Sequence, residues 1–180
     1  STRISHSQSL VELEDRVEVP LKDYEKNIAK NVMMPGNAIK RHVDVELRTA
    51  ALQSYSNVSE FNKEEDNGQK IGVICAGTTY LYAHEALGEN VNYLKIGFIN
   101  PLPDKLIHAF AEKNETVYVL EELDPVIETQ CKAMGLTVIG KEAFTMLGEY
   151  TPAMIRKVVL GLDDFPHTVR KETLPARPPV

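Results

Sequence analysis

From Lys70 to Pro125 short apolar runs alternate with helical patterns: KIGVICAGTTYLYAHEALGENVNYLKIGFINPLPDKLIHAFAEKNETVYVLEELDP. A strand that is apolar on both faces must be covered on both faces, and alternation with helices is how a parallel sheet achieves that. The pattern predicts strands over Ile71 to Ala76, Tyr93 to Ile99, Thr116 to Glu121 and Leu136 to Ile139. Helices are expected near Thr79 to Leu87, Pro103 to Lys113, Pro125 to Met134 and Pro152 to Leu160. Their apolar stripes run Tyr80, Ala83, His84, Leu87; Leu106, Ala109, Phe110; Ile127, Cys131, Met134; and Ile155, Val158, Val159, Leu162. Asp124-Pro125 and Thr151-Pro152 each set an N-cap residue before a proline, and Gly135 suits a left-handed helix end. The fold class is α/β: three layers around a mostly parallel sheet of about four to five strands, with right-handed crossovers.

Residues 1–67 lack this alternation. Ile39, Val43, Leu47, Ala51, Tyr55, Val58 and Phe61 recur at helical spacing after Pro35-Gly36, which predicts one long amphipathic helix. Its polar face carries Lys40, Arg41, Asp44, Glu46 and Arg48, as a solvated or interdomain face would. Leu10 to Val19 mixes Val and Leu with Glu and Asp in rough alternation, the pattern of an edge strand or extended arm. The polar run Lys63 to Gln69, closed by Asn67-Gly68, reads as a linker or turn. The expected organisation is an arm over 1–67, the sheet domain over 68–162 and a Pro-rich tail or linker over 163–180.

Charge narrows the partners. With 26 acidic against 20 basic residues the formal net charge is -6, and no basic stripe offers itself to a phosphate backbone, so nucleic acid is not expected. No apolar run approaches the roughly 20 residues that cross a bilayer, so no membrane partner is expected, and the two cysteines suit a reduced, cytoplasmic setting. The chain starts at Ser1 rather than Met, as a piece of a larger polypeptide would.

In open α/β sheets ligands gather outside the carboxyl ends of the strands. The first such loop, Gly77-Thr78-Thr79, is either a tight turn with Thr78 or Thr79 capping the helix or an anion cradle, although it lacks the glycines of a dinucleotide fingerprint and the lysine of a P-loop. Asn100 to Pro103 reads as rigid packing. Glu121 and Glu122 end the third predicted strand on opposite faces, which disqualifies them as a glycosidase-like pair and leaves one free to accept hydrogen bonds from a neighbouring helix or subunit. His6, His42, His84, His108 and His167 lie on different elements without metal-ligand spacing, so no metal site is expected. Cys131 falls on a buried stripe, as an inert apolar residue would.

VICAGTTY, IGFINPLPDKLI, VYVLEELDPVIETQCKAMG and VIGKEAF, closing on GEYTPAMI, resemble the transketolase C-terminal-type domain of thiamine-dependent 2-oxoacid:ferredoxin oxidoreductases. The arm, with TRISHSQSLVEL and KDYEKNIAKNVMMPGNA, narrows the resemblance to alpha subunits of the indolepyruvate type and extends it over almost the whole chain. The resemblance implies a parent enzyme that decarboxylates arylpyruvates oxidatively to acyl-CoA with thiamine diphosphate, Mg²⁺ and 4Fe-4S clusters, passing electrons to ferredoxin. It implies other domains of the same subunit and a beta subunit as partners, with residues 1–9 as the edge of an upstream domain. This chain has no Gly-Asp-Gly motif and only two cysteines, too few for a cluster, so no catalytic residue carries over and the fragment is expected to bind no cofactor. The alternative is a small flavodoxin-like module that binds a nucleotide or anion at Gly77 to Thr79.

Overall fold

A computed structural model describes residues 10–164; the expected tail from 165 onward and the first nine residues, with His6 and His167, fall outside the described residues. The chain divides into two units, Ser1–His42 and Val43–Val180.

In the larger unit the sheet contains β1 (Lys63–Glu65), β2 (Ile71–Ala76), β3 (Asn92–Ile96) and β4 (Thr116–Leu120), in the order β1-β3-β2-β4. β2 pairs in parallel with β3 and β4, whereas β1 runs antiparallel to β3. The helices are α1 (Ile28–Asn31), α2 (Pro35–Ser56), α3 (Thr78–Leu87), α4 (Asp104–Lys113), α5 (Val126–Ala133) and α6 (Pro152–Leu160). The chain moves from β2 through α3 to β3 on one side, then through α4 to β4 on the other. Right-handed crossovers in opposite directions put α3 and α4 on opposite faces. One core layer joins Val73, Cys75 and Tyr93 to Ala83 and Leu87 of α3 and Ile155 and Val159 of α6. The other joins Ile74, Leu94 and Val119 to Ile107 and Phe110 of α4 and Ile127 and Cys131 of α5. The α/β class and its covered, mostly parallel sheet are as the sequence indicates.

Several elements differ from expectation. The polar run at Lys63 is an edge strand rather than a linker: Glu64 pairs with Lys113 at 2.6 Å, and Glu65 accepts the Tyr80 hydroxyl at 2.6 Å, so its charges tie it down. The expected strand at Leu136 to Ile139 reduces to a single bridge between Ile139 and Tyr118. Leu10 to Val19 belongs to no strand. On α4 the buried face runs through Ile107 and Phe110 while Ala109 is exposed. The long helix stops at Ser56, so Val58 and Phe61 lie beyond it, and Ile39, Val43 and Leu47 of its stripe are exposed.

The end of α2 is fastened to the sheet domain by amides. Gln53 Nε2 donates to the Leu102 carbonyl and to Asp104, while Asn57 donates to Asp104 and accepts from Lys105 N, which completes the first turn of α4. Asn62 Oδ1 accepts from Gly97 N at 2.9 Å and Phe98 N at 3.0 Å. This approach is so close that a β-carbon at Gly97 would overlap the Phe61 carbonyl oxygen. β3 consequently ends at Ile96, short of the predicted Ile99. Gly97→Ala should therefore destabilise the domain by about 1–3 kcal/mol, read as a lower urea midpoint at unchanged m; an unaltered midpoint would show that the Phe61 segment is not held there.

Candidate functional site

The strand order reverses beside β2, so the crevice between the carboxyl ends of β2 and β4 is where an open α/β sheet collects ligands. A cleft of about 280 Å³ lies there. Ala76 and Thr79 line one side, Leu120, Val126 and Ile127 the other, with Ile99 beside them and the carboxylates of Glu121, Glu122 and Asp124 at the rim.

The sequence stretches that carry the resemblance meet at this cleft. Glu121 turns its carboxylate onto the start of α5, accepting from Ile127 N at 2.7 Å and Glu128 N at 2.9 Å. Two orphan N–H groups and the positive end of the helix dipole are thereby satisfied from within the chain. Glu122 accepts from Tyr150 N at 2.9 Å. Lys141 donates through Nζ to the Glu121 carbonyl and, at 2.9 Å, to the Tyr150 hydroxyl, which itself donates to the Thr145 carbonyl at 2.8 Å. Behind them the buried Glu128 accepts from Lys132 Nζ at 2.7 Å and Lys141 N at 2.9 Å. Phe144 and Tyr150 are buried beneath the same loop with ring centroids 5.6 Å apart. The EELDP, KEAF and GEY strings are thus one closed network that fastens the segment after β4 to the sheet.

Asp124 was the expected N-cap of α5, but no side chain caps the helix from Pro125, and the helix starts at Val126. Leu123 adopts φ +60, a left-handed turn that brings the α5 N-terminus back beside Glu121. A capping rule that inspects the adjacent residue cannot find a cap placed five positions earlier. Neither Thr78 nor Thr79 caps α3, either. The N-cap is Gly77 at φ +56, and the Thr79 hydroxyl donates back to the Ala76 carbonyl at 2.7 Å.

The titratable groups that sequence reasoning set aside occupy other places. Cys75 and Cys131 are buried in opposite core layers, and burial pushes both thiols up to about 12. His84 is exposed, its ring 5.5 Å from that of Tyr93 and Nε2 3.8 Å from Glu65. His108 lines a groove beside β4, and His42 is exposed on α2. Glu65, unremarked in the sequence, gathers Tyr80, Lys63 and His84. The Tyr80 hydrogen bond holds its carboxyl below the ordinary range, and the same bond pushes the Tyr80 phenol up to about 12.

The cleft residues do not fit thiamine diphosphate. The α5 N-terminus that could take a phosphate is already filled by a carboxylate, and the remaining rim charge repels an anion. Among the described residues no group of three His, Cys, Asp or Glu side chains could hold a metal ion.

No family model matches the chain. The indolepyruvate oxidoreductase subunit IorA of Archaeoglobus fulgidus is 35% identical over 150 residues, covering 78% of this chain. IorA of Methanothermobacter thermautotrophicus is 30% identical over 196 residues, covering 99% of it. Over that length the chain is similar to part of these IorA subunits. It spans only 23% and 32% of those two relatives' lengths. A 2-oxoglutarate:ferredoxin oxidoreductase from Magnetococcus marinus, solved with 2-oxoglutarate, coenzyme A and succinyl-CoA bound, superposes with a TM-score of 0.57 at 20% identity. It covers 72% of this chain and 24% of its own, and it shows the shared fold. Among the described residues no helix is long and apolar enough to cross a membrane.

The network around Glu128 makes acid stability specific. Burial pushes the Glu128 carboxyl up, but the hydrogen bonds from Lys132 and from the Lys141 backbone outweigh it and hold the group below its ordinary 4.5. A depressed carboxyl contributes stability that is complete above the unfolded value and is lost as pH falls through the folded one. The urea midpoint should therefore drop as pH falls below about 4.5, and Glu128→Gln should flatten that limb; an identical acid limb in the variant would contradict it. Glu121→Ala should cost about 1–2 kcal/mol at neutral pH by uncapping α5, read from the same midpoints.

Proposed function

We propose that this chain is a noncatalytic structural and interface domain of a ferredoxin-dependent arylpyruvate oxidoreductase of the indolepyruvate type. The parent enzyme would decarboxylate 2-oxoacids oxidatively to acyl-CoA in the cytoplasm. Its thiamine diphosphate, Mg²⁺ and 4Fe-4S clusters belong to other domains of the subunit and to a beta subunit, with ferredoxin and coenzyme A as its further partners. We assign residues 68–162 to the recurring domain, and residues 1–67 to an arm that supplies it with β1 and the second half of α2. The observation that carries this reading is Glu121. The helix N-terminus at the crevice, where such a sheet would bind an anion, is occupied by the chain's own carboxylate.

The same observation disfavours a nucleotide- or anion-binding module at Gly77 to Thr79. That loop adjoins the acidic rim, and its buried hydroxyl is committed to the Ala76 carbonyl.

Calorimetric titration of the purified chain with thiamine diphosphate and Mg²⁺ should give no heat of binding, and a thermal-shift series with nucleotides and coenzyme A should leave Tm unmoved. Binding at micromolar affinity in either assay would overturn the assignment, because a ligand at 100 times its Kd adds about 2.7 kcal/mol and cannot be missed.

A further inference from the structure

Residues 10–19 make neither helix nor strand. Their large apolar side chains stand in water, Val11 at 71%, Leu13 at 95%, Val17 at 81% and Val19 at 76% exposure. Position parity sorts the stretch. Val11, Leu13, Val17 and Val19 fall on odd numbers, interrupted by Asp15, whereas Glu12, Glu14, Arg16 and Glu18 fall on even ones; the exposed Leu10 precedes the alternation on the even side. In extended backbone successive side chains point to opposite faces, so this alternation makes one aliphatic face and one charged face. Pro20, which cannot donate to a ladder, ends the pattern. The sequence is that of a half-buried strand, while among the described residues it pairs with no strand.

Charge identifies what can cover it. Between Glu12 and Glu18 four carboxylates stand against the single guanidinium of Arg16. A second copy of the arm would set like charge against like across the strand pair, which destabilises it. A basic rim does the reverse. The curated relatives carry more than two thirds of their length outside the matched stretch, so a large surface of the same protein type is at hand.

We infer that residues 10–19 form a docking strand that adds to a lysine- or arginine-rimmed sheet edge elsewhere in the oxidoreductase, its aliphatic face seated inward and its glutamates paired outward. This mode of recognition takes affinity from main-chain hydrogen bonds and specificity from alternate side chains. The inference rests on the domain assignment above.

The test places a photo-crosslinking residue singly at positions 11 to 19 of the chain within the assembled oxidoreductase. Yields at 11, 13, 17 and 19 should exceed those at 12, 14 and 18 several-fold. The products should map to one peptide flanked by Lys or Arg. The combined variant Glu12→Gln, Glu14→Gln, Glu18→Gln should lower the odd-position yields several-fold and leave the urea midpoint of the sheet domain unchanged, because these side chains are exposed. Equal yields at both parities, products joining two copies of the arm, or a target peptide without basic residues would each overturn the inference. Co-purification with the oxidoreductase without the parity sinks the docking strand and leaves the domain assignment standing. Parity on an unrelated protein instead sinks both the assignment and the partner chosen from it.

Discussion

A strand that is apolar on both faces cannot be left uncovered on either, and β2 imposes that constraint on everything around it. Val73, Ile74 and Cys75 are all essentially inaccessible and point alternately into the two core layers. Helices must therefore be delivered to both sides of the sheet. With right-handed connections this requires the chain to leave β2 in one direction and later return past it in the other. The reversal of strand order, and the crevice beside it, follow from the covering of one strand.

A crevice of that origin exists before any ligand is considered, and in this chain the helix N-terminus beside it is satisfied internally. Glu121 answers the α5 N-terminus, Glu122 answers Tyr150, and Lys141 bridges the Glu121 carbonyl to the Tyr150 hydroxyl. An ionised group with its hydrogen-bond capacity met this way holds structure in place, because removing either partner leaves the other buried and unsatisfied. That is the physical content of sequence strings which otherwise serve only as marks of resemblance.

The covered sheet was legible because its signal is local: apolar runs of strand length, prolines opening helices, and Thr151 accepting from Met154 N at the start of α6 as its position predicts. What escaped reading depends on partners distant in sequence. β1 is three polar residues whose strand character comes from Tyr93, Leu94 and Lys95 opposite them, from the charge on Lys113 and from the Tyr80 hydroxyl. The true cap of α5 comes from Glu121, just past the end of β4, and not from the residue before the helix. At the candidate site the sequence singles out Glu121 and Glu122 but leaves open which of them accepts, and from what. It contained no sign that Lys141 and Tyr150 would join them, since that requires knowing how the loop after Ile139 folds back.

The chain uses its carboxylates in two opposite ways. Glu121, Glu122 and Glu128 are surrounded by donors on their own chain, and Glu65 by a phenol and a lysine. Glu12, Glu14 and Glu18 stand beside exposed aliphatic side chains in a segment without secondary structure. Solvated glutamates alone would signify only a soluble surface. Alternated with valine and leucine at a period of two, they cannot be serving solubility alone, because the same spacing holds an aliphatic face in water at a cost of about 1.5–3 kcal/mol per large side chain relative to burial. A chain that satisfies its charges so completely around the crevice, yet leaves a strand-patterned arm uncovered, has its open recognition chemistry at the arm and not at the ends of the sheet.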